Sequence, residues 1–279
     1  MLTIIIPAYN EASVIRECLE SLLLQRYSGP LEIIVAANGC TDLTAAVARE
    51  YEPRFQEKGY ELVVLEITNG NKNNALVHVD SLASFDSRLY LDADVVCGDT
   101  LIQELVIELQ VSTAVYVSGT LKIQDGSSFS SRCYGLIWKA TPYVRDTIPG
   151  CGCYAVNAAG RRKWNQFPKI HSDDKFVRLL FSHCQRKQVK AHYYWPLPQG
   201  FFTLINIRTR WTHGNRQLAI LYPELSINDT NRFQWDARFI KHLLSHPIAT
   251  VIFVCIYGIS TLRAYKDDAH LPIICSRAR

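Results

Sequence analysis

A chain of 279 residues that is 48% hydrophobic and 11% aromatic can bury one large core, which excludes a disordered or low-complexity protein. Its net charge of +4 is too mild for a nucleic-acid binder, and the drift from acids in the first half to Arg and Lys near the end suits anionic ligands or a membrane surface. Nine cysteines with no Cys-x-x-Cys pair and no Cys/His set at zinc spacing suit reduced thiols in a cytosolic protein, and the chain enters a strand with no signal peptide.

Leu2-Thr3-Ile4-Ile5-Ile6 is a β-rich apolar run of the kind found in parallel strands buried on both faces. Pro7 closes it. Asn10 is placed to cap a helix beginning near Glu11, whose apolar face would carry Val14, Ile15, Cys18, Leu19, Leu22 and Leu23. After the turn at Gly29-Pro30 the unit repeats as a strand over 31–35, a polar turn over 36–41 and a helix over 42–58. A third strand over 60–67 leads through Thr68-Asn69-Gly70-Asn71 into a helix over 72–82, and a fourth over 87–91 ends in Asp92-Ala93-Asp94. This alternation implies right-handed crossovers, a largely parallel sheet and an α/β fold. Ligands of such sheets bind beyond the strand C-termini, so residues 7–11, 37–42, 69–72 and 92–94 should line one crevice. Asp92 and Asp94, two residues apart, project to one side. Two carboxylates there suit Mg2+ or Mn2+, with a diphosphate supplying further oxygens.

Beyond residue 100 the pattern changes. A helix over 100–109 and a strand over 113–122 precede a loop at Asp125-Gly126-Ser127-Ser128, and 134–144 reads as helix. Residues 150–156 read as a strand entered through small residues, which suggests that a ligand or another backbone comes close at Gly152. Ser172 or Asp173 would cap the next helix and leave Asp174 in its first turn. Residues 247–262 carry no charge and are bounded by Lys241 and His246 on one side and Arg263 and Lys266 on the other. A bilayer span takes about 20 apolar residues, and Pro247 and Gly258 interrupt this shorter run. A helix lying at a membrane surface and an ordinary buried helix both fit.

Ile6-Pro7-Ala8-Tyr9-Asn10-Glu11, Ala37-Asn38-Gly39-Cys40-Thr41-Asp42, Asn69-Gly70-Asn71-Lys72 with Ala75, Leu91-Asp92-Ala93-Asp94 and Ser172-Asp173-Asp174 together resemble, in order and spacing, the motifs of family 2 glycosyltransferases. The resemblance covers roughly residues 1–215. It implies a GT-A fold, an α/β/α sandwich with a mostly parallel central sheet, followed here by a C-terminal helical appendage. On this reading residues 1–122 bind the nucleotide sugar, 123–225 bind the acceptor, and 226–279 form a helical segment that could meet a membrane.

By the same resemblance Pro7, Tyr9 and Glu11 border the nucleoside. Asn38 stands where the family usually has an Asp that contacts the base, and an amide both donates and accepts where a carboxylate only accepts. Lys72 and Arg210 face the donor diphosphate, Asp92 and Asp94 hold the divalent metal with Asp94 as direct ligand, and Gly152 and Trp211 border the acceptor. Asp174 matches the catalytic base and Asp173 a residue that positions acceptor or base, although plain helix capping is the structural alternative for both. Arg208-Thr209-Arg210-Trp211 resembles part of a signature of processive members, but the Gln they carry four residues before the Trp is Ile207 here, which favours single transfer. The activity implied is inverting, metal-dependent transfer of one sugar from a UDP- or GDP-linked donor to a hydroxyl acceptor, such as a lipid-linked saccharide in surface-polysaccharide assembly. A cytoplasmic location, peripheral on the membrane, goes with it. A sugar nucleotidyltransferase would carry a Gly-rich basic loop where residues 7–11 stand, and a non-catalytic nucleotide-sugar-binding module is the remaining alternative. His171 and His213 read as structural, and Cys151 and Cys153 as small packing residues.

Overall fold

The computed structural model describes residues 1–68, 72–229 and 236–268; the Asn69-Gly70-Asn71 motif and part of the 226–279 segment lie outside the described residues. The first half runs β1 (Leu2–Ala8), α1 (Ile15–Leu23), β2 (Leu31–Asn38), α2 (Thr44–Arg49), α3 (Glu52–Glu57), β3 (Glu61–Ile67), α4 (Lys72–Asp80) and β4 (Arg88–Leu91). Its strands are parallel in the order β3-β2-β1-β4. The second half adds β5 (Val96–Cys97), α5 (Leu101–Leu109), β6 (Tyr116–Ile123), α6 (Phe129–Lys139), α7 (Pro142–Asp146), β7 (Cys153–Val156), α8 (Ala158–Arg161), α9 (Asp173–Leu179), β8 (Arg186–Trp195), α10 (Phe201–Leu221), α11 (Ala237–Ser245) and α12 (Pro247–Asp268).

The eight strands form one sheet, β3-β2-β1-β4-β7-β6-β8-β5. Antiparallel β7 splits the parallel first half from the parallel β6/β8 pair. β5 follows β4 after only four residues yet pairs with β8 at the far edge, so the sheet curls until that edge meets the C-terminal end of β4. A bulge in the β6/β8 register, Ser118 opposite Gln188 but Thr120 opposite His192, accompanies the curl.

Side-chain alternation builds a core on each face of the sheet. Leu2, Ile4, Ile6, Ile33, Val35, Leu89 and Leu91 point to the face covered by α1, α2, α3, α5 and α6, whereas Ile5, Ile34, Ala36, Tyr90, Tyr116, Tyr154 and Val156 point to the face covered by α4 and α9. Each fully buried Leu or Ile contributes about 1.5–3 kcal/mol relative to exposure. This two-sided burial is why the strands read as unbroken apolar runs, and it confirms the α/β/α sandwich.

Several expected elements differ. Asn10 caps no helix: it holds φ 55°, and its Oδ1 accepts from Thr41 N at 2.8 Å, tying the β1 loop to the β2 loop while α1 starts later. The helix expected over 42–58 is two, because Pro53 lacks the N–H an interior position needs and starts α3 instead. Pro142 likewise ends the helix expected over 134–144 and opens α7, capped by Thr141.

The apolar run near the C-terminus fits neither simple description. Ala249, Phe253, Ile256, Ser260 and Ala264 are buried along one stripe of α12, which packs on α10 and α6. Ile248, Val251, Val254 and Leu262 remain 58–68% exposed on the rest. Residues 247–266 are long and apolar enough to cross a membrane by length and composition, and the buried part of them is that one stripe.

Candidate active site

The curl of the sheet opens a cleft of about 800 Å³ beyond the C-terminal ends of β1 and β4. Alternation continues past β4: Leu91, Ala93 and Val95 stay in the core, so Asp92 and Asp94 emerge on the cleft side. The turn is pinned by Val95 N donating to Asp92 O at 3.1 Å and by Asp92 N donating to Gly152 O at 2.8 Å. Gly152 has φ 64°, and a Cβ there would lie 2.8 Å from Asp92 Oδ2. Its place is therefore against the Asp92 carboxylate, and the absent side chain leaves that carboxylate room.

The opposite wall begins at the N-terminus of α9. Ser172 occupies the cap position without a side-chain cap bond, and Asp173 and Asp174 form the first turn. Gly214 of α10 lets that turn dock, since a Cβ would meet Ser172 Oγ at 2.5 Å and His171 Cβ at 2.9 Å. Lys72, first residue of α4, bridges the two walls, its Nζ 3.1 Å from Asp92 Oδ1 and 3.3 Å from Asp173 Oδ2. The two acidic motifs, 80 residues apart in sequence, thus face one site.

Its electrostatics are strained in a particular direction. Burial, then repulsion from Asp92 and Glu11, pushes the Asp94 carboxyl up to about 7. Burial and the neighbouring Asp173 charge raise Asp174 to about 6, against the pull of Lys72. Burial raises Asp173 too, and burial with Asp92 and Asp42 raises Glu11. Burial works against the Lys72 charge, but Asp173, Asp92 and Asp174 outweigh it and keep the ammonium ionised. Among the described residues no set of three His, Cys, Asp or Glu side chains could hold a metal alone. Two carboxylates that repel each other fit a hard cation that takes one or two protein oxygens and completes its shell with substrate phosphate.

Pro7, Lys72, Asp92, Asp94, Gly152, Asp173, Asp174, Arg210 and Trp211 all line this cleft. Tyr9 and Asn38 do not, Tyr9 being 59% exposed and Asn38 buried at the end of β2; Glu11, whose N donates to Thr44 Oγ1 in the shelf joining the first two loops, is outside the lining, but its carboxylate is near enough to raise Asp94 and to be raised by Asp92. Trp211 stacks on Trp138 (centroids 5.6 Å, 28°) and tilts against Trp195 at 5.7 Å. All three indoles line the cleft, with Phe253 and Tyr257 of α12 beside them. Sequence reading found Trp211 alone. The alternation Val189, Ala191, Tyr193, Trp195 was the available signal for β8 and hence for Trp195. His171 also lines the cleft, 5.9 Å from the His213 ring, whereas Cys153 is fully buried in β7 as a packing residue.

The sequence profile of Glycosyl transferase family 2 matches residues 3–167. The chain belongs to family 2. Curated relatives match shorter stretches: the glycosyltransferase GlyA of Streptococcus pneumoniae serotype 4 is 29% identical over 120 residues, covering 41% of this chain and 16% of that protein. An N-acetylglucosaminyltransferase of Bradyrhizobium diazoefficiens is 30% identical over 111 residues, 38% of this chain and 22% of its own. The match therefore spans only a minor part of those relatives' length. Among solved structures, the mannosyltransferase PcManGT of Pyrobaculum calidifontis, in complex with GDP-Man and Mn2+, superposes with TM-score 0.59 at 19% identity over 98% of this chain and 76% of its own. TarS residues 1–349 of S. aureus, in complex with UDP, gives 0.53 at 15% identity over 96% and 91%. These likenesses establish the family 2 transferase fold of the GT-A type. Asp173 and Asp174 fall beyond the profile match.

Proposed function

We propose that this family 2 member transfers one sugar, with inversion, from a UDP- or GDP-linked donor to a saccharide hydroxyl. The observation that carries this reading is the Lys72 bridge, which places the Asp92/Asp94 pair and the Asp173/Asp174 pair on facing walls of one cleft. The donor diphosphate lies against Asp92, Asp94, Lys72 and Arg210. Asp92 and Asp94 would hold a divalent cation, which when bound neutralises charge on the departing diphosphate. Asp174 takes the proton of the acceptor hydroxyl as its oxygen bonds to the anomeric carbon; the bond from that carbon to the diphosphate breaks on the opposite side. Asp173, held by Lys72, fixes the first turn of α9. Trp211, partly exposed and backed by the buried Trp138 and Trp195, offers an apolar surface to an acceptor sugar. The anomeric configuration of the product, read by proton NMR, tests the reading: it should be opposite to the donor's, and retention would contradict it.

The lipid-linked form of the acceptor has a separate support. α12 carries an exposed apolar face ending in exposed Arg263 and Lys266, and the same helix lines the cleft through Phe253 and Tyr257. The protein should co-sediment with anionic lipid vesicles at low salt, and Val251→Asp with Val254→Asp should abolish this. Protein that stays in the supernatant would contradict a membrane-surface role.

A further inference from the structure

The far end of the cleft holds a cation that the transfer reaction as described does not use. Arg178 lies one helical turn beyond Asp174 on α9, is 1% exposed and lines the cleft. Its Nε, Nη1 and Nη2 make no hydrogen bond among the described residues. The nearest carboxylate oxygen, Asp229 Oδ1, is 3.7 Å from Nη2, and Asp229 Oδ2 is already 2.9 Å from Lys175 Nζ. The guanidinium carbon lies 5.6 Å from the centroid of the Tyr143 ring, another cleft residue. Arg186 adds a third positive charge, its nitrogens donating to the carbonyls of Arg178, Phe181 and Asn228 and, among the described residues, to no carboxylate. Asp146, a further acid lining the cleft, is already bound by Arg145. Among the described residues three cations therefore gather around Asp229 and the Asp174 end of α9. A buried guanidinium with five unused donors is costly unless something accepts from it.

We infer that this corner receives an anionic substituent of the acceptor, a carboxylate or a phosphate monoester carried near the attacking hydroxyl. Arg178 forks onto two of its oxygens and Lys175 adds a second charge. The position, one turn past the base, sets the anion on the acceptor rather than the donor side. The inference rests on the transferase reading for the word acceptor; the anion site itself rests on Arg178.

The test is calorimetric titration of the whole chain in EDTA with methyl glucuronide, glucose 6-phosphate and methyl glucoside. At least one charged sugar should bind tenfold or more tightly than methyl glucoside, and which one does so identifies carboxylate or phosphate as the source. Arg178→Gln should remove that preference. Lys175→Gln, at a more exposed position, should weaken it about threefold and serves if Arg178→Gln does not fold. Absence of any charge preference, including no binding, would overturn the inference, as would a preference untouched in both variants, which would leave Arg178 as an anchor for Asp229. A parallel nucleotide titration in Mn2+ separates the two claims: nucleotide binding without charge preference sinks only the acceptor corner, and charge preference without nucleotide binding sinks only the transferase reading.

Discussion

Asp174→Asn should lower turnover by about 10³-fold while leaving nucleotide affinity unchanged, because it removes a proton acceptor and little else. General-base assistance contributes about 10²–10⁴-fold, and an amide of the same shape keeps the 2.7 Å contact available to Lys175 N. The pH profile gives the same residue a second signature. With Asp174 held near 6 by burial and Asp173, the base is ionised above that pH and lost below it. The acid limb of kcat/KM should therefore break near 6, falling about tenfold per pH unit beneath the break. Steady-state kinetics with a fixed donor checks both. Wild-type turnover in Asp174→Asn would remove it as base and leave the capping role considered from sequence.

Asp94→Asn should abolish metal-dependent nucleotide binding and at the same time stabilise the metal-free fold. The carboxyl is raised from 3.8 to about 7, so the folded protein holds that proton more tightly than the unfolded chain. The sign follows: stability is greatest below about 4, declines as pH rises toward 7, and above 7 carries the full penalty of a buried charge beside Asp92 and Glu11. The penalty is at most about 4 kcal/mol, and about 1–2 kcal/mol once solvent in the cleft is allowed for. Asparagine removes it. Thermal melts at pH 8 in EDTA should place the variant a few degrees above wild type. Adding Mn2+ with the cognate nucleotide should reverse the order, since only the wild type gains ligand stabilisation. A variant less stable in EDTA, or one that still gains from Mn2+, would show that Asp94 serves the fold and not a cation.

The same physics explains which parts of the molecule were legible in its sequence. β1, β2 and β4 are buried on both faces, so Ile4, Ile33 and Leu89 announce strands without help from neighbours, and Asp92 and Asp94 stand out by interrupting such a run. The acidic turn at Asp173 is visible because its residues are contiguous. What was hidden depends on the curl. β8 and β5 join the sheet across a bulge, and the Trp138/Trp195/Trp211 wall is assembled from α6, β8 and α10. Pro53 and Pro142 were present to be read, yet the helical pattern ran on across them and concealed two helix boundaries. Arg178 is the sharpest case: no motif in the sequence singles it out, and only its burial on α9 beside Tyr143 and Asp229 does.

Titration of the purified protein with nucleoside diphosphates and their sugars, first in Mn2+ and then in EDTA, tests the donor site most directly. The paired carboxylates and the Lys72 bridge predict tight binding of one nucleotide in Mn2+, weakened at least tenfold by EDTA and absent in Asp94→Asn. Binding that is indifferent to metal, or no binding to any nucleotide, would contradict the account.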